Sequence, residues 1–210
     1  EAAALASFKR RLGGRLLQLG TGGAATSPGV LSWMGRLSGE VCDSYGATEV
    51  GLIAANGVLD GKVDVKLLPY VSDGASFTPD DQPYPRGELL VRTPAITPGY
   101  YGDEARTSAA FDADGWYHTG DLVALEPGRR VTVIGRCSEM LKLSNGLFVA
   151  PRRLEAIFAE ADAVAHIFVH GSARHAVVVA VVVPVSDRID AATVAAVSYT
   201  HLTLPTIPGV

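Results

Sequence analysis

The sequence predicts a mixed α/β fold over residues 1–134, followed by a small α+β unit over 135–197. Three observations carry this. Short alternating apolar segments, Asp64–Leu68, Gly87–Thr93 and Leu122–Leu125, read as strands. Ahead of these segments, Ala2–Leu12 and Ser27–Leu37 read as helices. At Gly135 the pattern changes to short runs grouped around one helix, which marks a domain boundary.

Ala2–Leu12 is helical by propensity and closes at Gly13-Gly14. The stretch EAAALASFKRRLGG has no starting Met and no secretory signal, so the chain is expected to begin inside a domain. Leu16–Leu19 is a short strand running into Gly20–Ala25, where glycines let the backbone approach a flat or anionic ligand. No GxxxxGK[ST] occurs, so this is not a Walker loop. Ser27-Pro28 then starts a helix that runs to about Leu37.

Val41–Ser44 leads into Tyr45-Gly46-Ala47-Thr48-Glu49, a segment dense in functional groups. Tyr45 offers an aromatic face for a base, and Gly46 and Ala47 leave room beside the backbone. Thr48 can donate a hydroxyl to a phosphate, and Glu49 supplies a hard oxygen for Mg²⁺. The bland alternative is an irregular loop after a strand.

The middle reads as scaffold, with Asp80–Pro85 an exposed turn and Glu104–Phe111 a short helix that packs its alanines and Phe111. Pro98-Gly99-Tyr100-Tyr101 reads as core or turn rather than pocket. Phe111–Leu122, FDADGWYHTGDL, organises the rest. Asp112–Gly115 is a turn by composition, and Asp121 is expected where a glycine turn enters the strand Leu122–Leu125, pointing out of the sheet. A carboxylate fixed there suits a sugar diol, because it accepts from two neighbouring hydroxyls. The competing reading is an Asp that caps a turn.

Beyond Gly135, Met140–Leu143 and Leu147–Val149 flank Ser144-Asn145-Gly146, whose Asn-Gly signals a hairpin. Pro151 opens a helix with Leu154, Ile157 and Phe158 on one face. Ala163–Val169 and His175–Val183 read as strands joined by Gly171–Arg174. The β-branched run Ala176–Val183 reads as a buried strand, far too short for a membrane span. His166, His170 and His175 are assigned no chemistry.

A formal charge of −4 makes no electrostatic case for nucleic acid or an anionic membrane. Hydrophobic residues at 48% against 19% charged fit a globular chain with a core. Two cysteines, Cys42 and Cys137, with no CxxC, point to a reducing, cytoplasmic setting and to no cysteine-held metal.

YGATE, PRGELLVRTPAITPGYY (Pro85–Tyr101), DGWYHTGDL and GRCSEMLKLSNGLFV (Gly135–Val149) stand in the order and spacing of the adenylate-forming (AMP-binding) superfamily, which this chain resembles over about residues 12–190. LKLSNG is similar to long-chain fatty acyl-CoA ligases and carboxylic acid reductases. PYPRGELLVRT and FDADGWYHTGDLV lean toward the adenylation domain of the reductases. The resemblance implies that 1–134 is the C-terminal portion of the large AMP-binding domain, with mixed sheets, helices and a small β-subdomain. It implies that 135–197 is a truncated, mobile C-terminal α+β domain. From Ser198 the chain no longer resembles the family, and 198–210 reads as a non-native tail of the kind adapter read-through gives.

Residue by residue, the resemblance implies that Gly22, Gly23 and Ala24 flank adenine and the acyl pocket. Tyr45 would stack on adenine, with Gly46 beside the nucleotide. Thr48 would bind phosphate, Glu49 Mg²⁺, Asp121 the ribose diol, and Arg136 ribose and phosphate. Lys142 would belong to a loop that swings into the site. His118 stands where Arg is usual, Ser138 where a hinge Asp or Lys is usual, and Leu147 where the long-chain group has an acidic residue. The family's Ser/Thr/Gly-rich phosphate loop and its C-terminal catalytic lysine have no counterpart in these residues, so the chain reads as a fragment.

The implied activity is ATP-dependent activation of a fatty or aromatic carboxylic acid to acyl-AMP, then transfer to a thiol. In a carboxylic acid reductase the thiol is a carrier domain's phosphopantetheine, and reduction uses NADPH. In a long-chain acyl-CoA ligase it is coenzyme A. A non-catalytic nucleotide-binding module is the third reading.

Overall fold

The computed structural model describes residues 2–72 and 75–186. They form two compact units interleaved along the chain. The first takes the chain up to Asp64, with Val91–Tyr117 and Gly128–Val131. The second takes Val65–Leu90, His118–Pro127 and the chain from Thr132 onward. The 198–210 tail and the 187–197 part of the expected small domain lie outside the described residues.

In the first unit, α1 (Ala2–Arg11) carries Lys9, Arg10 and Arg11 in its last turn, where cations meet the helix dipole favourably. Phe8 packs edge-on against Trp33 of α2 (Pro28–Leu37), ring centroids 5.5 Å apart. α2 starts as its sequence anticipates: Ser27 Oγ accepts from the Val30 N–H, with Pro28 in the first turn. β1 (Gln18–Gly22) runs parallel to β2 (Glu40–Ala47), with Gln18 opposite Glu40 and Gly22 opposite Ser44. The expected strand at Leu16–Leu19 is therefore displaced into the glycines, and Leu17 is exposed. Close approach explains the shift, since a Cβ on Gly22 would stand 2.6 Å from the Ser44 carbonyl oxygen.

β2 turns into β3 (Gly51–Ala55), which turns through Asn56-Gly57, both at positive φ, into β4 (Val58–Leu59). The β2–β3 register slips between Tyr45 and Gly46, a bulge that breaks strand alternation at the YGATE motif. Val50, Ile53 and Ala54 are fully buried beneath it. α3 (Glu104–Ala110) is capped by Asp103, which accepts from the Arg106 N–H. The expected packing of its alanines fails, because α3 buries none of its residues. Phe111 instead meets the Tyr117 ring at 5.2 Å.

The second unit holds most of β5 (Asp64–Leu68), β6 (Tyr70–Ser72), β7 (Ala75–Phe77), β8 (Arg86–Arg92), β9 (Tyr117–Glu126) and β10 (Arg130–Arg136). Here β10, β9, β8 and β5 are neighbours in that order. Leu89, Leu90, Leu122 and Val123 are fully buried. Phe77, Leu122, Ala124 and Ile134 form a core cluster against which Tyr70, Cys137 and Met140 pack. In the Asp80–Pro85 turn, Asp81 is the inward residue, pairing with buried Arg86 at 2.8 Å.

A 3₁₀ turn at Cys137–Glu139 leads to β11 (Leu141–Lys142) and β12 (Phe148–Val149), antiparallel across a turn with Gly146 at φ 85°. Asn145 Oδ1 accepts from the Leu147 N–H, as its turn chemistry requires. α4 (Pro151–Phe158) buries Phe158, and its Glu155 accepts from the Val169 N–H of β13 (Val164–His170).

β13 pairs with β14 (Val179–Pro184), which starts four residues later than the sequence suggests. The turn accounts for part of the delay, since the His175 N–H is held by the Ser172 carbonyl. The apolar run is also not buried: Val177, Val179 and Val181 are 60–65% exposed. α4 is engaged with β13, and no described element covers Val179 and Val181 of the two-stranded sheet.

Among the described residues, no helix is long and apolar enough to cross a membrane.

Candidate functional site

The first unit contains a shallow, solvent-open depression of about 310 Å³ at the ends of β1 and β2, lined by Gly22, Gly23, Ser44, Gly46, Ala47, Thr48, Gly51 and Leu52. Its walls are glycine for steric reasons. A side chain on Gly22 would strike the Ser44 carbonyl, and one on Gly46 would strike the Gly51 carbonyl. Gly23 sits at φ 83° with open space where a Cβ would be. The fold thus brings Gly22, Gly23, Gly46 and Thr48 together, from segments more than twenty residues apart. Ala24 is exposed, and neither Ala24 nor Tyr45 is among the lining residues. Tyr45 pairs with Ala54 in the β2–β3 ladder.

Glu49 follows in the turn after β2, outside the lining of the depression. Its carboxylate accepts from the Tyr100 hydroxyl at 2.6 Å, and its carbonyl accepts from the Thr97 N–H at 2.7 Å. The Tyr100 hydroxyl holds the Glu49 carboxyl below the usual carboxylate range, against burial, with help from the Tyr117 hydroxyl and the Arg106 charge. Glu49 is therefore an anion near neutral pH. Pro98–Tyr101, expected to be core or turn, supplies this partner. The sequence signal was Gly99, whose φ of 141° and contact with Thr107 admit no side chain.

In the second unit, Thr119-Gly120-Asp121 lies inside β9 rather than at a turn entering it. Gly120 at φ 68° kinks the strand there, which only glycine does cheaply. Asp121 is buried rather than pointing freely out of the sheet. The Thr119 hydroxyl donates to the Leu89 carbonyl at 2.7 Å and accepts from the Asp121 N–H at 3.1 Å. Arg136 Nη1 donates to the Thr119 carbonyl at 2.8 Å, and Arg136 Nε stands 3.1 Å from Asp121 Oδ1. The arginine is 56% exposed and its aspartate 8%, so the pair offers a half-open cation over a sheltered, oriented carboxylate. Such a pair can accept from vicinal hydroxyls and donate to an anion.

The Asp112–Gly115 turn forms as expected, with Asp112 Oδ1 accepting from the Asp114 and Trp116 N–H groups. Thr119 was not singled out from sequence, although Thr before Gly-Asp was in view. His118 stands 3.4 Å from Glu88. Lys142 lies half-buried in β11 opposite Phe148, and no side-chain hydrogen bond or ion pair joins it to Asp121 or Arg136 among the described residues. Burial, with Glu88 and Asp121 nearby, pushes the Cys137 thiol up to about 12, which disfavours its thiolate near neutral pH.

No protein-family model matches the chain. It is 39% identical over 182 residues to a carboxylic acid reductase of Mycobacterium tuberculosis, covering 85% of this chain and 15% of that protein. It is 36% identical over 187 residues to the peroxisomal long chain acyl-CoA synthetase 7 of Arabidopsis thaliana, covering 83% of this chain and 26% of the relative. Among solved structures, it superposes on the A domain of a carboxylic acid reductase from Segniliparus rugosus, in complex with AMP and a co-purified carboxylic acid. That match has a TM-score of 0.80 and 34% identity, covering 91% of this chain and 32% of the other. The chain thus spans a seventh to a quarter of its curated relatives' length, and its fold matches the adenylate-forming domain.

Proposed function

We propose that this chain, a homologue of carboxylic acid reductases and long-chain acyl-CoA synthetases, is the nucleotide-holding part of an enzyme that forms acyl-AMP and pyrophosphate from ATP and a carboxylic acid. The pair of Asp121, in the kinked strand β9, with Arg136 at the end of β10 carries the reading, because it presents diol acceptor and phosphate donor side by side. The AMP and carboxylic acid bound by the Segniliparus rugosus domain support it.

In this reading Gly22, Gly23 and Ala24 flank adenine and the acyl group, Tyr45 stacks on the base, and Gly46 keeps the path clear. Asp121 accepts from the ribose hydroxyls. Thr48 donates its hydroxyl to phosphate, and Arg136 offsets charge as the acid's carboxylate attacks the α-phosphorus in line. Lys142 enters from 135–197, which we take as the mobile C-terminal domain beyond the 1–134 portion.

Magnesium fits the donor set in a limited way. No group of three potential ligands occurs among the described residues, whereas Glu49 offers one ionised carboxylate. A site of that kind suits Mg²⁺ held mainly by phosphate oxygens and water. The ion, when bound, supplies charge that polarises the phosphates.

The acyl group then passes to a thiol, which we take to be a carrier domain's phosphopantetheine ahead of NADPH-dependent reduction. The acyl-CoA synthetase similarity favours coenzyme A as the alternative acceptor. The low cysteine count, two with no CxxC, suits a reducing compartment, and we propose the cytoplasm.

The complete reading frame, incubated with ATP, Mg²⁺ and fatty or aromatic acids, tests the reading. Aldehyde formed with NADPH supports the reductase, and acyl-CoA formed with coenzyme A supports the ligase. Folded protein that yields neither, and no acyl-AMP, would overturn it.

A further inference from the structure

We propose that Tyr100 is a positioning residue that sets the Glu49 carboxylate for its cation, an inference that rests on the reading of Glu49 above. The segment Thr97–Tyr100 grips Glu49 at two points. The Thr97 N–H holds its carbonyl at 2.7 Å, and the Tyr100 hydroxyl holds Oε1 at 2.6 Å. A carboxylate has about four lone-pair sites, so the short Tyr100 bond, with the Tyr117 hydroxyl acting beside it, sets its rotation and still leaves lone pairs for a metal.

Tyr100 is itself held from several sides. Its N–H donates to Thr107 Oγ1 at 2.9 Å, and that hydroxyl donates to the Asp103 carbonyl at 2.8 Å. The Arg106 guanidinium lies 4.1 Å from the centre of the Tyr100 ring. Gly99 makes the approach possible, since a Cβ there would stand 2.6 Å from Thr107 Cγ2. α3 buries none of its residues, so core packing does not explain it. What Arg106 and Thr107 of α3 do, with the capping Asp103, is fix Tyr100. Arrangements that hold a metal ligand's free lone pairs in place are worth tenfold or more in metal affinity.

The test uses Mn²⁺ as probe, with ATP present, its binding to the complete protein that contains this chain followed by electron paramagnetic resonance. Tyr100→Phe keeps the ring and its arginine contact while removing only the hydroxyl. It should weaken Mn²⁺ binding about tenfold, the order of one hydrogen bond to a charged group, with the melting temperature nearly unchanged. Glu49→Gln should weaken it at least as much as Tyr100→Phe, and the double variant Tyr100→Phe/Glu49→Gln should bind no worse than Glu49→Gln alone. Unchanged binding in Tyr100→Phe beside a weakened Glu49→Gln would overturn the positioning role and spare the Glu49 reading. Additive losses would overturn it too, because Tyr100 would then act elsewhere. Unchanged binding in Glu49→Gln, or none by the unsubstituted protein, would remove the Glu49 reading and this inference with it.

Discussion

Arg136 holds Asp121 and the carbonyl of Thr119 at once, its Nε 3.1 Å from the carboxylate and its Nη1 2.8 Å from the carbonyl. One guanidinium thus spans the Gly120 kink and locks the carboxylate's direction. The fork geometry of arginine permits this from two separate nitrogens, where a lysine would have only one.

Nucleotide affinity should follow from that arrangement. Asp121→Asn is nearly isosteric but loses the charge that accepts from ribose hydroxyls. AMP affinity measured by calorimetry should fall about tenfold, the order of one charged hydrogen bond. Unchanged affinity would leave Asp121 a purely structural residue of β9.

The glycines around the depression should divide into two kinds. Gly22→Ala and Gly46→Ala each drive a Cβ into a backbone carbonyl, and backbone cannot step aside. Each should cost about 1–3 kcal/mol in urea unfolding. Gly23→Ala meets open space, and its strain comes only from φ 83°, about 1–2 kcal/mol. Partial rescue by Asn, which tolerates positive φ, is expected at Gly23 and not at Gly22 or Gly46. Rescue at all three positions would contradict the steric account.

Asp81 and Arg86 should make the second unit acid-sensitive. Burial opposes ionisation of Asp81, yet the Thr78 N–H and the Arg86 guanidinium outweigh it and hold the carboxyl below its ordinary value. A carboxyl lowered in the fold stabilises above its unfolded pKa, about 3.9. That stabilisation is lost as pH falls through the lowered value. Asp81→Asn should cost about 3 kcal/mol at pH 7, since it leaves Arg86 buried beside a neutral amide. The deficit should shrink toward pH 2, and a deficit independent of pH would show that charge is not the cause.

Local chemistry was legible in the sequence, and distance was not. Ser27-Pro28, the Asp112–Gly115 turn and the Asn145-Gly146 hairpin form where their residues indicate, because capping and turn preferences act over a few residues. Gly87–Thr93 and Leu122–Leu125 form strands where the sequence indicates, but Leu89–Val91 and Leu122–Ala124 are buried consecutively, on both faces, rather than in alternation. Leu16–Leu19 misled because strand position was decided by close backbone packing of Gly22 on Ser44, a long-range fact. The valines of β14 misled because composition announces strand but not which face is covered. Glu49 and Asp121 were visible as chemistry, whereas their holders Tyr100 and Thr119 emerge only once distant segments meet.

Acid-dependent exchange of pyrophosphate into ATP, catalysed by the complete reading frame that contains this chain, tests the central claim most directly. With a fatty or aromatic acid present, exchange should rise well above the acid-free rate. It should fall at least tenfold in Asp121→Asn, in line with the lost ribose contact. Folded, AMP-binding protein that showed no acid-dependent exchange with any acid tried would contradict the account.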